Sequence, residues 1–153
     1  MTKGILIAGE ICSGKDTFYN KHFSEDKFVQ IDLGSLVREK FQTADRIFDN
    51  TLEPYFIMRI KEIIKNSPDS IFVITGIRQP TLCVKIANLF DEIEYNYLTV
   101  PRNILKERYK NRADVKDANI TFEDAMKGDQ SLGMKDLQIH LLTEVECNFI
   151  KNY

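Results

Sequence analysis

Neither sign of charge dominates this chain of 153 residues: 21 lysines and arginines stand against 23 aspartates and glutamates, a formal net charge of −2. That balance removes any global electrostatic case for nucleic acid or a membrane as partner and leaves room only for a local basic groove. Cysteine is scarce as well. Cys12, Cys83 and Cys147 are odd in number, widely spaced and without metal-ligand spacing. Neither a disulfide framework nor a thiolate metal site is expected, and the thiols read as reduced ones in a cytoplasmic-type compartment. Long apolar runs are lacking near the start: Met1 to Gly4 lead into only four apolar residues, too few for a signal-peptide core or a membrane span. Repeats, low-complexity segments and internal linkers are also missing. With 43% hydrophobic and 29% charged residues, the chain is globular in composition and is expected to form one domain, residues 1–153, around one core.

What is present is concentrated between Gly4 and Thr17. Ile5 to Ala8 form an apolar block of the length of a buried parallel strand. It ends at Gly9, and Gly9, Gly14 and Lys15 match the G-x-x-x-x-G-K spacing of a phosphate-binding loop. Glycines let successive backbone N–H groups turn inward around an anion, the following helix presents its positive end, and a lysine there reaches the β- and γ-phosphates. Cys12 and Ser13 lie inside the loop. Asp16 stands where serine or threonine usually offers a hydroxyl to magnesium, and Thr17 follows one place later.

Downstream, short apolar blocks alternate with helical periodicity. A helix is expected from Lys15 to about Phe23, a strand over Lys27–Asp32, a turn over Leu33–Ser35, and a helix capped by Ser35 carrying Leu36, Val37 and Phe41. Gln42 to Asn50 read as a connection. Thr51 is placed to cap a helix whose Phe56, Ile57, Ile60, Ile63 and Ile64 share one face. A strand over Ile71–Ile74 leads to Thr75-Gly76-Ile77-Arg78, then a helix from about Thr81 to Phe90 and a strand over Ile93–Val100. A helix over Asn103–Asn111 follows, with Arg108 and Arg112 four apart. After a polar stretch to Thr121 come a short helix over Phe122–Lys127, a break flanked by Gly128 and Gly133, a helix over Leu137–Leu142 and a strand over Val145–Ile150. Such alternation means an α/β fold with right-handed crossovers, and strands that end in small or polar residues mark a parallel sheet whose C-terminal edge carries the site.

The sequence resembles the P-loop nucleotide-kinase superfamily, which includes adenylate kinases, deoxynucleoside monophosphate kinases and dephospho-CoA kinases. Gly14-Lys15-Asp16-Thr17 looks like the version found in phage-type deoxynucleotide kinases. Ser35 to Glu39 is similar to the adenylate-kinase segment whose arginine grips the acceptor phosphate, which implies that role for Arg38. Thr75 to Arg78 looks like the segment after the third strand that supplies another acceptor-side arginine, here Arg78. Leu105 to Arg112 resembles the helix whose arginines approach the donor phosphates, and Ile150 to Asn152 the last strand, where the following loop lies near the adenine. Two departures stand out. Thr75 replaces an acidic residue that helps hold the metal's water shell, and Gln130 or Ser131 stands where a lid arginine is expected after Asp129.

The resemblance implies a three-layer α/β/α P-loop fold with a five-stranded parallel sheet, order 2-3-1-4-5, and a lid-like segment over about 108–133. It implies γ-phosphate transfer from ATP, with Mg2+, to a (deoxy)nucleoside monophosphate. Alternatives are a hydroxyl acceptor (dephospho-CoA, a nucleoside, a nucleic-acid end or modified base) and a non-catalytic ATP-binding module. Gly9, Cys12, Ser13, Gly14, Lys15, Asp16, Thr17, Arg112 and Asn152 would bind the nucleotide, and Asp16 the metal. Arg38 and Arg78 would hold the acceptor, while Lys15, Asp32, Arg78 and Arg108 would carry catalysis. Asp32 is either a base or orienting group toward a hydroxyl acceptor, or a cap of the next helix or a contact to the metal's water. The expected partner is a small nucleotide, with nucleic acid disfavoured and a homodimer allowed.

Overall fold

The computed structural model describes residues 1–112 and 119–153; residues 113–118, within the expected lid-like segment, lie outside the described residues. The elements are β1 (Lys3–Ala8), α1 (Lys15–His22), β2 (Phe28–Asp32), α2 (Leu33–Lys40), α3 (Glu53–Asn66), β3 (Ile71–Thr75), α4 (Pro80–Ala87), β4 (Glu92–Thr99), α5 (Arg102–Asn111), α6 (Phe122–Leu132), α7 (Met134–Thr143) and β5 (Cys147–Lys151). The strands form one sheet in the order β2-β3-β1-β4-β5, with every neighbouring pair parallel. Sheet class and strand order are therefore as expected.

The period-2 geometry of a strand divides the core between the two faces. Leu6, Ala8, Phe72 and Ile74 face one way, against buried residues of α2, α3, α4 and α7 that include Val37, Ile60, Ile86 and Leu137. Ile5, Ile7 and Val73 face the other way, against Phe18 and Tyr19 of α1. Burial on both faces explains why β1 and β3 read as continuous apolar blocks. A smaller cluster of Ile11, Leu105, Phe122, Ala125 and Met126 lies around the loop after β1, so α5 and α6 pack beside the segment that the sequence singles out.

Three capping expectations are corrected. Residues Leu33 to Ser35 are the first turn of α2, and the cap is Asp32, whose side chain accepts from the Ser35 amide at 3.1 Å and the Ser35 hydroxyl at 2.6 Å. Asp32 gains this role because Thr75, its register partner on β3, donates to its other oxygen at 2.9 Å and fixes the carboxylate. Thr51 does not cap α3: Asp49 accepts both its amide and its hydroxyl, and Leu52 takes the cap position. Gly128 does not break a helix, since α6 continues to Leu132 and ends at Gly133, whose φ of 113° closes the turn. Gly128 serves packing instead: a Cβ there would lie 2.5 Å from the Phe48 ring.

Other boundaries move as well. The fourth helix ends at Ala87 rather than near Phe90, the last helix starts at Met134 rather than Leu137, and the last strand covers Cys147–Lys151. Replacing Asp32 with alanine should cost about 1–2 kcal/mol, the usual loss for an N-cap. A urea denaturation midpoint unchanged from the parent would contradict this assignment.

Candidate active site

β1, β2 and β3 are parallel neighbours, so their C-terminal ends open on one edge, where a cavity of about 840 Å³ lies. One wall is the loop after β1. Gly14 has φ of 87° and Cys12 φ of 66°, left-handed values that turn the main chain inward as an anion-binding nest requires. A Cβ on Gly9 would sit 2.4 Å from the Ser13 Oγ and 3.2 Å from the Leu98 carbonyl oxygen. One on Gly14 would meet the Asn152 Nδ2 at 2.6 Å. The fixed glycines are thus needed by the loop's own closure.

Cys12, Gly14, Lys15, Asp16 and Thr17 line the cavity. Ser13 is buried, and neither it nor Gly9 reaches the cavity wall, so their part is to shape the main chain. Asn152 lies behind the loop, donating to the Ser13 carbonyl oxygen at 2.7 Å; its neighbour Tyr153 lines the cavity. Arg108 is pinned to the same support, donating to the Cys12 carbonyl at 3.2 Å and the Asn152 carbonyl at 2.5 Å. Arg112 also lines the cavity, with its guanidinium 5.7 Å from the Tyr109 ring centre.

Lys15 curls over the loop, donating to the carbonyl oxygens of Gly9 at 3.1 Å and Glu10 at 3.3 Å. Burial lowers its pKa to about 8, with Arg78 and Arg46 adding to the effect and Asp129 and Asp32 opposing it. The unfolded chain then holds the proton more tightly than the native one. Keeping Lys15 charged penalises stability below about pH 8, and the penalty disappears as pH rises through the ordinary lysine value. A bound polyphosphate would favour the ammonium. Above about pH 8, binding of ATP should therefore take up a proton and weaken with rising pH. Calorimetry in buffers of different ionisation enthalpy checks this, and a heat independent of buffer would contradict it. Glu10, in the same loop, is shifted toward its neutral form by burial and by Asp129, against Arg102 and Lys15. That shift lessens its repulsion of a polyphosphate.

The opposite wall is cationic. Arg38 lies 3.8 Å from the Asp32 carboxylate and donates to the Ser35 hydroxyl at 3.3 Å. Arg78 donates through Nε to Asp129 at 2.5 Å and through Nη1 to the Gly76 carbonyl at 3.0 Å. Both line the cavity, as do Arg46 and Phe48, which the sequence reading missed because residues 42–50 carry no period. Asp129, within the expected lid-like segment, is fully buried on α6, accepting also from the Ile11 amide at 2.9 Å.

Between the walls runs a polar line. Gln30 donates to Asp16 at 3.2 Å and to Thr75 at 3.3 Å, and Thr75 donates to Asp32. The Thr75 hydroxyl thus satisfies Asp32, where a second carboxylate would repel it. Burial works against the charged form of Asp32, but hydrogen bonds from Ser35 and Thr75, together with Lys15, outweigh it and hold the carboxyl below its ordinary range. Among the described residues no group of three or more histidines, cysteines or acids is placed to hold a metal. Asp16 and Asp32 line the cavity beside the loop, a donor set that fits magnesium, which keeps several waters and is held by one or two carboxylates plus substrate phosphates.

Sheet order, the glycine-built loop after β1 and the helix it feeds define the fold of the P-loop kinases. Solved structures agree. A gluconokinase from Sinorhizobium meliloti 1021 is similar at 12% identity and a TM-score of 0.63, over 98% of this chain and 82% of that one. A chain of the Pnkp1/Rnl/Hen1 RNA repair complex is similar at 15% identity and a TM-score of 0.61, over 90% of this chain. The match spans 44% of the repair-complex chain, less than half its length. At these identities the likeness establishes the fold. No family model matches the sequence, and no curated protein matches it. No helix among the described residues is long and apolar enough to cross a membrane.

Proposed function

We propose that this chain is an ATP-dependent phosphotransferase that moves the γ-phosphate to a (deoxy)nucleoside monophosphate. The observation that carries the reading is the pairing, across one cavity, of a glycine-built loop bearing Lys15 with a second wall bearing Arg38, Arg46 and Arg78. Phosphoryl transfer asks little covalent chemistry of a protein, so alignment and charge neutralisation supply most of the catalysis. The loop amides and Lys15 hold the donor's phosphates. Arg38 and Arg78 hold the acceptor's phosphate, for which planar guanidiniums are suited. Arg108 and Arg112 border the donor side. Asp16, directly or through water, would hold magnesium, which would supply neutralisation of the charge on the transferred group.

A second reading is favoured by one feature. Asp32 is ionised and lines the cavity at the end of β2, where a carboxylate can orient or deprotonate a hydroxyl acceptor. Its lowered pKa makes it a better orienting group than base, which leaves the monophosphate first. Measuring ADP release with dNMPs, nucleosides, dephospho-CoA and oligonucleotides separates the readings. Stimulation by monophosphates alone is expected. Stimulation by a hydroxyl acceptor alone would transfer the assignment to the second reading, and tight ATP binding without any stimulation would point to a regulatory module.

A further inference from the structure

Asp129 is the one fully buried acid among the described residues, and both of its oxygens are spent on the two walls of the cavity. Oδ2 accepts the Ile11 amide, 118 positions away, inside the phosphate loop. Oδ1 accepts the Arg78 Nε, 51 positions away, in the turn after β3. We propose that Asp129 is a positioning residue that sets the phosphate loop and the acceptor arginine in register with each other, from a helix that belongs to neither wall. The inference rests on the phosphotransferase reading for what the register serves.

Three observations lead to it. Burying a carboxylate is costly, and an apolar side chain of similar size would usually hold a core at least as well. Asp129 sits on α6 beside Ala125 and Met126, whose apolar packing against Ile11 and Leu105 already joins α6 to the loop. Adhesion alone therefore needs no charge at this position. What only a charged, two-oxygen acceptor supplies is a simultaneous bond to a main-chain amide and to a guanidinium.

The geometry at Arg78 is equally selective. Nε is engaged by Asp129 and Nη1 by the Gly76 carbonyl. Among the described residues Nη2 makes no hydrogen bond, on a residue that lines the cavity. A guanidinium held through two of its nitrogens is oriented before a ligand arrives, so less rotamer entropy is lost on binding. At Ile11 the carboxylate occupies the amide N–H, fixing the peptide that leads into Cys12 and its left-handed turn. In-line transfer depends on the separation of two phosphates, and displacing either by an ångström is costly.

Asp129→Asn tests this with the chain intact, because an amide can accept from one of the two donors but faces the other with an N–H. With ATP, magnesium and the four dNMPs as probes, KM for the acceptor should rise at least about 10-fold at temperatures where the variant is folded. The Ile11 amide should exchange at least about 10-fold faster while the Leu6 and Val73 amides keep their protection. Met126→Leu, a volume-conserving change on the same helix, should do neither.

An acceptor KM within twofold of the parent, or a fall in kcat that merely tracks the folded fraction, overturns the proposal. Should Asp129→Asn fail to fold, Arg78→Lys serves, since one ammonium cannot hold Asp129 and reach a ligand at once; an unchanged acceptor KM there also overturns it. If the parent protein turns over none of the probes, the phosphotransferase reading fails by itself. The Ile11 exchange rate then decides the inference alone, with an unchanged rate counting against it.

Discussion

Lys15→Ala should lower phosphoryl transfer by about 100- to 1000-fold, the usual consequence of removing one preorganised charge from a developing anionic transition state. The fold should survive. Among the described residues Lys15 donates only to two carbonyl oxygens of its own loop, and burial already disfavours its charge, so its loss relieves a desolvation cost as it removes those bonds. The expected signature is a severe fall in kcat with a denaturation midpoint equal to or slightly above that of the parent. The buffer-dependent heat of ATP binding should disappear in the same variant. Full activity would contradict the placement of the donor phosphates, whatever the acceptor proves to be.

Arg78→Ala should show the opposite balance, with a large structural cost beside the kinetic one. Asp129 is 0% exposed, and without Arg78 its Oδ1 loses the one side-chain partner it has among the described residues. Removing one member of a buried pair typically costs 3–5 kcal/mol, mostly as the penalty of an uncompensated charge. Arg78 is itself slightly exposed, at 13% of its side chain, so solvent can enter the gap and the expectation is about 3 kcal/mol. Chemical denaturation measures it. At temperatures where the variant remains folded, binding of a monophosphate should be weakened further, since the cation nearest the Gly76 turn is gone. A stability within about 0.5 kcal/mol of the parent would mean that Asp129 finds another partner or is solvated.

How much of this was legible follows from the range of the interactions involved. The phosphate loop was readable because its glycines answer first to constraints nearby, Gly9 to Ser13 and Gly14 to its own left-handed backbone, with Leu98 and Asn152 adding distant ones. β1 and β3 were readable because burial on both faces leaves continuous apolar runs. Strand order came from the family resemblance alone, since no local pattern states which strand lies beside which. The α2 cap was misassigned because Asp32 and Ser35 are both good caps, and the choice is made by Thr75, 43 positions beyond Asp32. Arg46 and Phe48 lie in a segment without periodicity, and the Gly128 notch that seats the Phe48 ring is 80 positions away. Asp129 was the hardest of all. It follows Gly128 in a stretch read as a break, and nothing nearby announces partners in two distant turns.

The central claim is that the loop from Gly9 to Thr17 wraps the phosphate tail of a nucleoside triphosphate while Arg38 and Arg78 face the position of the acceptor. A crystal structure with magnesium and a non-hydrolysable ATP analogue tests it most directly. The account predicts the β-phosphate within hydrogen-bond distance of main-chain amides in this loop, Lys15 swung from its carbonyl partners onto phosphate oxygens, and the arginine wall open beyond the terminal phosphate. A nucleotide bound elsewhere, or a loop that keeps Lys15 on Gly9 and Glu10 with no phosphate in it at saturating ligand, would contradict it.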